Sequence, residues 1–289
     1  MDQSNQVSDG FISVVVPTYH RNDLLAKCLT CLAPGTQTID PSRYEVIVTD
    51  DGKTSTAEQM IRERFPWAKW VKGPQRGPAA NRNNGAKQAR GEWLAFTDDD
   101  CLPTPGWLAA YSAAIEDDVD FYEGKTTCLA GCRPWVEDSP VNLDGGMLWS
   151  CNMMVRKTVY FAMNGFDERY PKPMMEDVDF NERRMRRKLP VRWTPEALID
   201  HPPRLRHKGI ELGKFWESRV LFIFKFSIRR SCLVWLPLHV AKVRASQIKK
   251  IGFRREAVIA SWNCILEWCY LVCHVRKWER KYRSMDFCG

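Results

Sequence analysis

The 289-residue chain has no uninterrupted apolar run of about 18 residues, so no transmembrane helix is expected. The nearest candidate, VLFIFKFSIRRSCLVWLPLHVA, is broken by Lys225, Arg229, Arg230 and Pro237. The opening MDQSNQVSDG lacks the basic and apolar regions of a secretory signal, and residues 1–10 read as a short flexible tail. The eleven cysteines form no framework: their number is odd, and the one C-x-x-C pair, Cys28 and Cys31, has no second pair at zinc spacing and no active-site Trp-Cys context. A coincidence on a helix face, with reduced thiols in a cytoplasmic protein, is the simpler reading. Histidine is scarce, with five in the chain, which disfavours a His-rich metal-dependent phosphohydrolase. Internal repeats and low-complexity segments are missing as well.

What is present is unevenly distributed. Hydrophobic residues make up 44% and charged residues 27%, the balance of a globular chain. Residues 1–201 hold 24 Lys and Arg against 29 Asp and Glu, a net of −5, whereas residues 202–289 hold 19 against 6, a net of +13. An acidic front and a basic rear imply two jobs. The front alternates strand and helix. FISVVVP (11–17) and YEVIVTDDG (44–52) are the apolar runs of strands buried on both faces, AKWVKG is a short third strand and EWLAFTDDD a fourth. Between them, RNDLLAKCLTCLA places Leu24, Leu25, Cys28, Leu29 and Leu32 at helical spacing. TSTAEQMIRERF reads as a helix with a Thr/Ser start, and GPAANRNNGAKQARG as a helix that stops at Gly91. This order implies an α/β domain with a mostly parallel sheet. Further on, VDFYEGKTT (119–127), GMLWSCNMMVRK (146–157) and VRWTPEALIDH (191–201) read as strands, and EDVDFNERRMRRK (176–188) as a helix.

Polar residues collect where the strands end, which is where open α/β sheets bind ligands. Pro17, Thr18 and Tyr19 end the first strand, Asp50 and Asp51 the second, and Asp98, Asp99 and Asp100 the fourth. Three adjacent carboxylates repel one another unless a cation answers them, and Mg²⁺ or Mn²⁺, with oxygen ligands, suits the cluster. Side chains alternate at a strand end, so Asp98 and Asp100 can point the same way, towards one metal ion. An acidic turn capping a helix that begins near Pro103 would explain one Asp, not three. Asp50-Asp51-Gly52 taken alone is also an ordinary turn. Tyr19 suits stacking on a base and Arg21 suits a phosphate, while Arg82, Asn83 and Asn84 can reach the same crevice from the third crossover. Glu176-Asp177-x-Asp179 opens a helix, where the dipole alone favours acids; the active reading makes Asp177 a general base behind a loop stiffened by Pro171 and Pro173. His201, between Asp200 and Pro202-Pro203, is either structural or a metal ligand.

In order, ISVVVPTYHR, YEVIVTDDG, GPAANRNNGAKQARGEWLAFTDDDC, NGFDERY and EDVDFNERR resemble the family 2 glycosyltransferases across roughly residues 11–205. The resemblance implies the GT-A fold, a Rossmann-like, mostly parallel sheet flanked by helices. It implies a nucleotide pocket lined by Pro17, Tyr19 and Arg21, base reading by Asp51 with Asp50 beside it, and donor contacts from Arg82 and Asn83. It also implies a D-x-D element, with Asp98 near ribose, Asp99 between, and Asp100 holding the metal. Asp177 matches the base of a Glu-Asp motif and Glu176 its neighbour. His201 matches a residue that in some relatives ligates the metal or touches diphosphate. The implied reaction is a metal-dependent, inverting transfer from a nucleotide diphosphate-sugar to a glycan or lipid-linked acceptor. Asn164 stands where a second Gly is common, and Lys188 where a Gly often follows the helix. The Gln-x-x-Arg-Trp motif and the membrane helices of processive members are missing, which favours addition of a single sugar.

Residues 206–289 read as a basic, mainly helical region, in which KFWESRVLFIFKFSIRR and WNCILEWCYLVCHVRKWERKYR mix aromatics with Lys and Arg. Such helices suit peripheral contact with the inner membrane surface, packing on the catalytic domain, or a homo-oligomer. No nucleic-acid-binding motif is present, and no nucleic acid is expected. Two rival readings share the front half. A non-catalytic nucleotide-sugar or glycan-binding module is opposed by the presence of Asp98, Asp100 and Asp177. A nucleotidylyltransferase would carry a Gly-rich loop after the first strand, where this chain has VVVPTYHR.

Overall fold

The computed structural model describes residues 10–134, 136–226, 235–251, 255–285 and 287; the expected tail, apart from Gly10, and the stretch 227–234 of the rear segment lie outside them. In chain order the elements begin β1 (Ile12–Thr18), α1 (Asn22–Leu32), β2 (Tyr44–Asp50), α2 (Glu58–Arg64), β3 (Lys69–Lys72), α3 (Pro78–Gln88) and β4 (Trp93–Thr97). They continue β5 (Leu102–Pro103), α4 (Trp107–Ala114), β6 (Phe121–Thr127), β7 (Glu137–Asp138), β8 (Asn152–Arg156), α5 (Lys157–Ala162), α6 (Glu176–Arg186) and β9 (Arg192–Asp200). The rear holds β10 (Arg204–Leu205), α7 (Gly209–Lys214), α8 (Trp216–Lys225), α9 (Trp235–Ile251) and α10 (Arg255–Arg283). Two compact units result. The first takes the chain through Gly131, Ser139–Glu168 and Glu176–Pro203; the second takes Cys132–Asp138, Arg169–Met175 and everything from Arg204.

The first unit is built on one eight-stranded, mainly parallel sheet in the order β3-β2-β1-β4-β8-β6-β9-β5, flanked by helices: the GT-A arrangement. Strand residues alternate between its two faces. Ile12, Val14 and Val16 pack with Leu25, Leu29 and Trp107 on one side, while Val15 joins Ile47, Ala86 and Phe96 on the other. Both faces are covered, which is why β1 runs apolar from Val14 to Pro17. Close packing of α3 on the sheet depends on Gly85, where an added Cβ would lie 2.5 Å from Val15 Cγ1. From β1 the chain steps to β2 and β3 on one side, then crosses back to β4 on the other. That reversal opens a crevice at the carboxyl ends of β1 and β4.

Two local expectations are corrected. Of residues 146–157 only Asn152–Arg156 is strand and Lys157 already begins α5. Gly145, Gly146 and Leu148 take φ of 80°, 91° and 49°, and the N–H groups of Gly146, Met147 and Leu148 donate to the buried Glu123 carboxylate instead of to a neighbouring strand. Helix α2 starts from Ala57 rather than from a Thr/Ser cap; the Ala57 N–H donates to Asp50 Oδ2 at 2.6 Å, so a carboxylate from the end of β2 replaces a local hydroxyl. Cys28 and Cys31 both lie on α1 as free thiols, Cys28 buried and Cys31 partly exposed.

The second unit pairs β7 with β10 and otherwise packs helices around Trp216, Val220, Leu221, Leu271, Val275 and Trp278. Glu267 is fully buried there, accepting from Trp216 Nε1 and Arg244 Nε, both at 2.8 Å. Within α10, Val258–Arg283 contains an 18-residue window of mean hydropathy 1.4 and is long and apolar enough to cross a membrane by length and composition. Glu267 falls in the middle of it and interrupts the apolar run.

Candidate functional site

Strands β1 and β4 deliver their last residues to the crevice, and Asp99 ties the two ends together. Its carboxylate is fully buried; Thr18 Oγ1 donates to it at 2.6 Å and Arg21 Nε at 3.2 Å. Burial pushes Asp99 up to about 7 even though Arg21 and Thr18 act in the opposite sense. Arg21 also reaches Asp100 Oδ2 at 2.9 Å. One guanidinium thus spans two of the three carboxylates. Asp98 turns the other way, towards Arg82.

Arg82, buried on α3, links that end of the sheet to the start of α6. It donates to Asp98 Oδ1 at 2.5 Å and to Glu176 Oε1 at 3.1 Å. Burial opposes its charge, but Asp98 and Glu176 raise its pKa further. Glu176 is buried, and its Oε2 has no hydrogen-bond partner. Desolvation, then repulsion from Asp177, pushes Glu176 up to about 7 despite Arg82. Asp177 is half-buried and raised for the same first reason, with Arg82 opposing. Met175, just before α6, takes φ 78°, a left-handed backbone at the threshold of these two acids. The arrangement provides a basic carboxylate beside a fixed cation.

His201 follows β9 and is fully buried; its Nδ1 lies 3.0 Å from Pro202 O and its Nε2 has no hydrogen-bond partner. That Nε2 faces Asp100 Oδ1 at 3.4 Å. Two ligands at right angles on a Mg²⁺-sized ion sit about 3 Å apart, so the pair fits a divalent cation. Cys101 lies within the same group, and burial pushes its thiol well up; by position Asp100, Cys101 and His201 could each offer a ligand atom to one metal ion. Burial would strip a proton from His201; Asp100 outweighs it and holds the imidazole at about 9.

The other expected residues have different surroundings. Asp50 accepts from Gly52 N, Ala57 N and Trp70 Nε1, and Asp51 from Gln75 N and Gly77 N at 2.8 and 3.2 Å, so both carboxylates organise the loops around the end of β2. Gly73 lets the chain pass there: an added Cβ would sit 2.2 Å from Asp51 Oδ1. Asn83 is satisfied within the fold by Phe166, Glu168 and Tyr160 and holds the loop that follows α5. Pro17 is buried in β1, and Tyr19 is 51% exposed with its ring edge-on to His20. Thr18 and Glu123 are the residues that sequence reasoning missed as organisers. Glu123 accepts four hydrogen bonds, from Asn142 Nδ2, Gly146 N, Met147 N and Leu148 N, and Asn181 of α6 grips the same loop through Met147 O at 3.2 Å. The signal was available: an acid inside a strand whose neighbours are Phe121 and Tyr122.

Comparison with known proteins points to one family. The profile of "Glycosyl transferase family 2" matches residues 13–127. Glycosyltransferase AglE of Haloferax volcanii is 36% identical over 291 residues, covering 89% of this chain and 93% of its own. Validoxylamine A glucosyltransferase of Streptomyces hygroscopicus subsp. limoneus is 27% identical over 299 residues, covering 89% of this chain and 66% of its own. Among solved structures, S. aureus TarS 1-349 in complex with UDP superposes with a TM-score of 0.55 at 18% identity, over 96% of this chain and 93% of that one, a likeness of fold. With a relative of that identity along almost its whole length and the sheet, strand ends and acids in place, the chain belongs to glycosyl transferase family 2 and is a glycosyltransferase of the GT-A fold.

Proposed function

We propose that the enzyme transfers one sugar from a nucleoside diphosphate-sugar, of the uridine class, to a hydroxyl of a glycan or lipid-linked acceptor, with inversion at the anomeric carbon. One observation carries this reading: Asp100 Oδ1 and His201 Nε2 lie 3.4 Å apart, close to the spacing of adjacent ligands on one cation, while Arg82 ties Asp98 to Glu176. The UDP in the TarS complex supports the uridine class.

Asp100 and His201 would hold the divalent cation, Mn²⁺ or Mg²⁺, which when bound neutralises charge on the departing diphosphate. The chain's own groups do the rest. Tyr19 and Asp51 flank the nucleotide, and Arg21 keeps Asp99 and Asp100 in place. Asp177 accepts the acceptor hydroxyl's proton on its carboxylate as the oxygen attacks from the face opposite the leaving group. The hydroxyl is far too weak an acid to ionise beforehand, so proton transfer accompanies attack, and a carboxylate made more basic by burial is suited to it. Arg82 holds Glu176 beside it. A single displacement leaves no covalent sugar on the protein.

The test measures melting temperature with UDP, GDP, TDP and CMP, with and without Mn²⁺, followed by turnover of the matching nucleotide-sugars and NMR of the product anomer. At about 100-fold its dissociation constant, the right nucleotide stabilises by about 2.7 kcal/mol, and Asp100→Ala abolishes the metal-dependent part. Binding without any turnover would return the chain to the non-catalytic reading. A product of retained configuration would exclude the single displacement.

A further inference from the structure

Residues 258–275 of α10 carry one formal charge, Glu267, and that carboxylate faces inward, held by Trp216 and Arg244. The outward face is apolar and bare. Val258, Trp262 and Ile265 are 72, 61 and 50% exposed, and Val272 continues the row one heptad on, so the four form one helical stripe. Trp268 flanks it, and its indole donates to Pro237 O of α9 at 3.0 Å, beside the exposed Leu238. The patch therefore covers two helices of the unit. At a rise of about 1.5 Å per residue the apolar stretch is roughly 27 Å long. Beyond it the same face ends in Arg276, Lys277 and Arg280, all exposed. Soluble monomers seldom leave so continuous an apolar surface uncovered.

We propose that this face of α9 and α10 docks on the surface of an anionic lipid bilayer. Charge selects that occupant over a second copy of the chain. Residues 202–289 are net +13, so two such units brought together repel, whereas each Lys or Arg near an anionic leaflet gains about 1 kcal/mol. The side chains match as well: Trp262 and Trp268 place an apolar ring and a polar N–H at the level where a bilayer passes from hydrocarbon to headgroup. The buried Glu267–Arg244 pair keeps the opposite side of α10 engaged within its own unit, so the helix offers lipid one face and lies along the surface.

The experiment sediments the intact protein with sucrose-loaded vesicles of phosphatidylcholine alone and of phosphatidylcholine with phosphatidylglycerol. It needs no sugar donor, so its outcome is independent of the transferase reading. Binding is expected to require phosphatidylglycerol and to weaken as salt is raised. Trp262→Glu and Ile265→Glu should each lower the partition coefficient about tenfold or more, with melting temperature unchanged because both sites are exposed. Leu129→Glu, an exposed apolar residue of the other unit, should change nothing. Absence of binding to either vesicle overturns the proposal, as does binding that the two α10 variants leave intact. A dimer by light scattering that Trp262→Glu dissociates would give the face to a second copy. Resistance to salt and alkaline carbonate, with protease protection of α10, would make it a span. Both results overturn surface docking.

Discussion

In the first unit Asp98, Asp99, Glu123 and Glu176 are drawn inward while the apolar strands disappear behind helices; in the second, Val258, Trp262 and Ile265 stand in solvent on α10, a helix that buries Glu267 and Glu279. The contrast follows from backbone chemistry. Sheet ends and irregular loops leave N–H groups without partners, and buried carboxylates can accept from them, as Glu123 does from three in succession. A long helix satisfies its own backbone. It has few donors to recruit acids with, so its outer face is free to be apolar. The first unit concentrates charge at its strand ends, and the second keeps an uncharged outer face.

The largest effect should come from Asp177→Asn, which removes the proton acceptor without changing shape. Turnover should fall about 10²- to 10⁴-fold while the nucleotide-induced melting shift persists. Turnover near that of the parent would place the base elsewhere. Trp262→Glu in the other unit should leave turnover on a water-soluble acceptor intact.

Glu123→Ala should be the next largest, costing about 3 kcal/mol or more in urea denaturation because four donors, those of Asn142 and Leu148 buried, lose their acceptor. An exposed apolar residue given a charge, as in Ile265→Glu, should stay within about 0.5 kcal/mol. Similar values for the two would erase the contrast between the units.

Glu176 sharpens the same contrast through pH. Its folded pKa, about 7, lies above the ordinary glutamate value, chiefly because it is buried and then because Asp177 repels its charge. The folded state therefore binds the proton more tightly than the unfolded chain. The stability from this group is complete below the ordinary glutamate range and is lost as pH rises through about 7. Glu176→Gln should flatten the fall in urea midpoint between roughly pH 5 and pH 8. A slope unchanged by the substitution would assign the proton to another group.

The smallest effect expected is a gain. Lys188 follows α6 with φ 56°, and the N–H groups of Lys188 and Leu189 donate to Met185 O and Arg184 O at 2.9 and 3.3 Å, a left-handed helix stop. Lys188→Gly should raise stability by about 1 kcal/mol, read as a higher melting temperature with unaltered turnover. Asn164, at φ 60°, meets the same demand with a residue that tolerates it.

Much of the fold was legible because period and length are local. Apolar runs marked β1, β2 and β4, and helical spacing marked α1. The loop at 146–151 was misread because its strand-like composition says nothing about Glu123, more than twenty residues earlier, which takes its N–H groups. Thr54, Ser55 and Thr56 looked like a helix cap until Asp50 was found in that role. The clustering of Asp98–Asp100 at a strand end could be read from the chain, but not the three directions in which they turn.

What the chain determined unaided is where strands stop and that acids stand there, since alternation, apolar run length and residue type need no partner. Tertiary structure alone decided which cation answers which acid. Arg82 meets Asp98 from 16 positions away and Glu176 from 94, and Thr18 meets Asp99 from 81. Such partners are chosen only when the sheet closes and burial makes an unanswered charge too costly to leave.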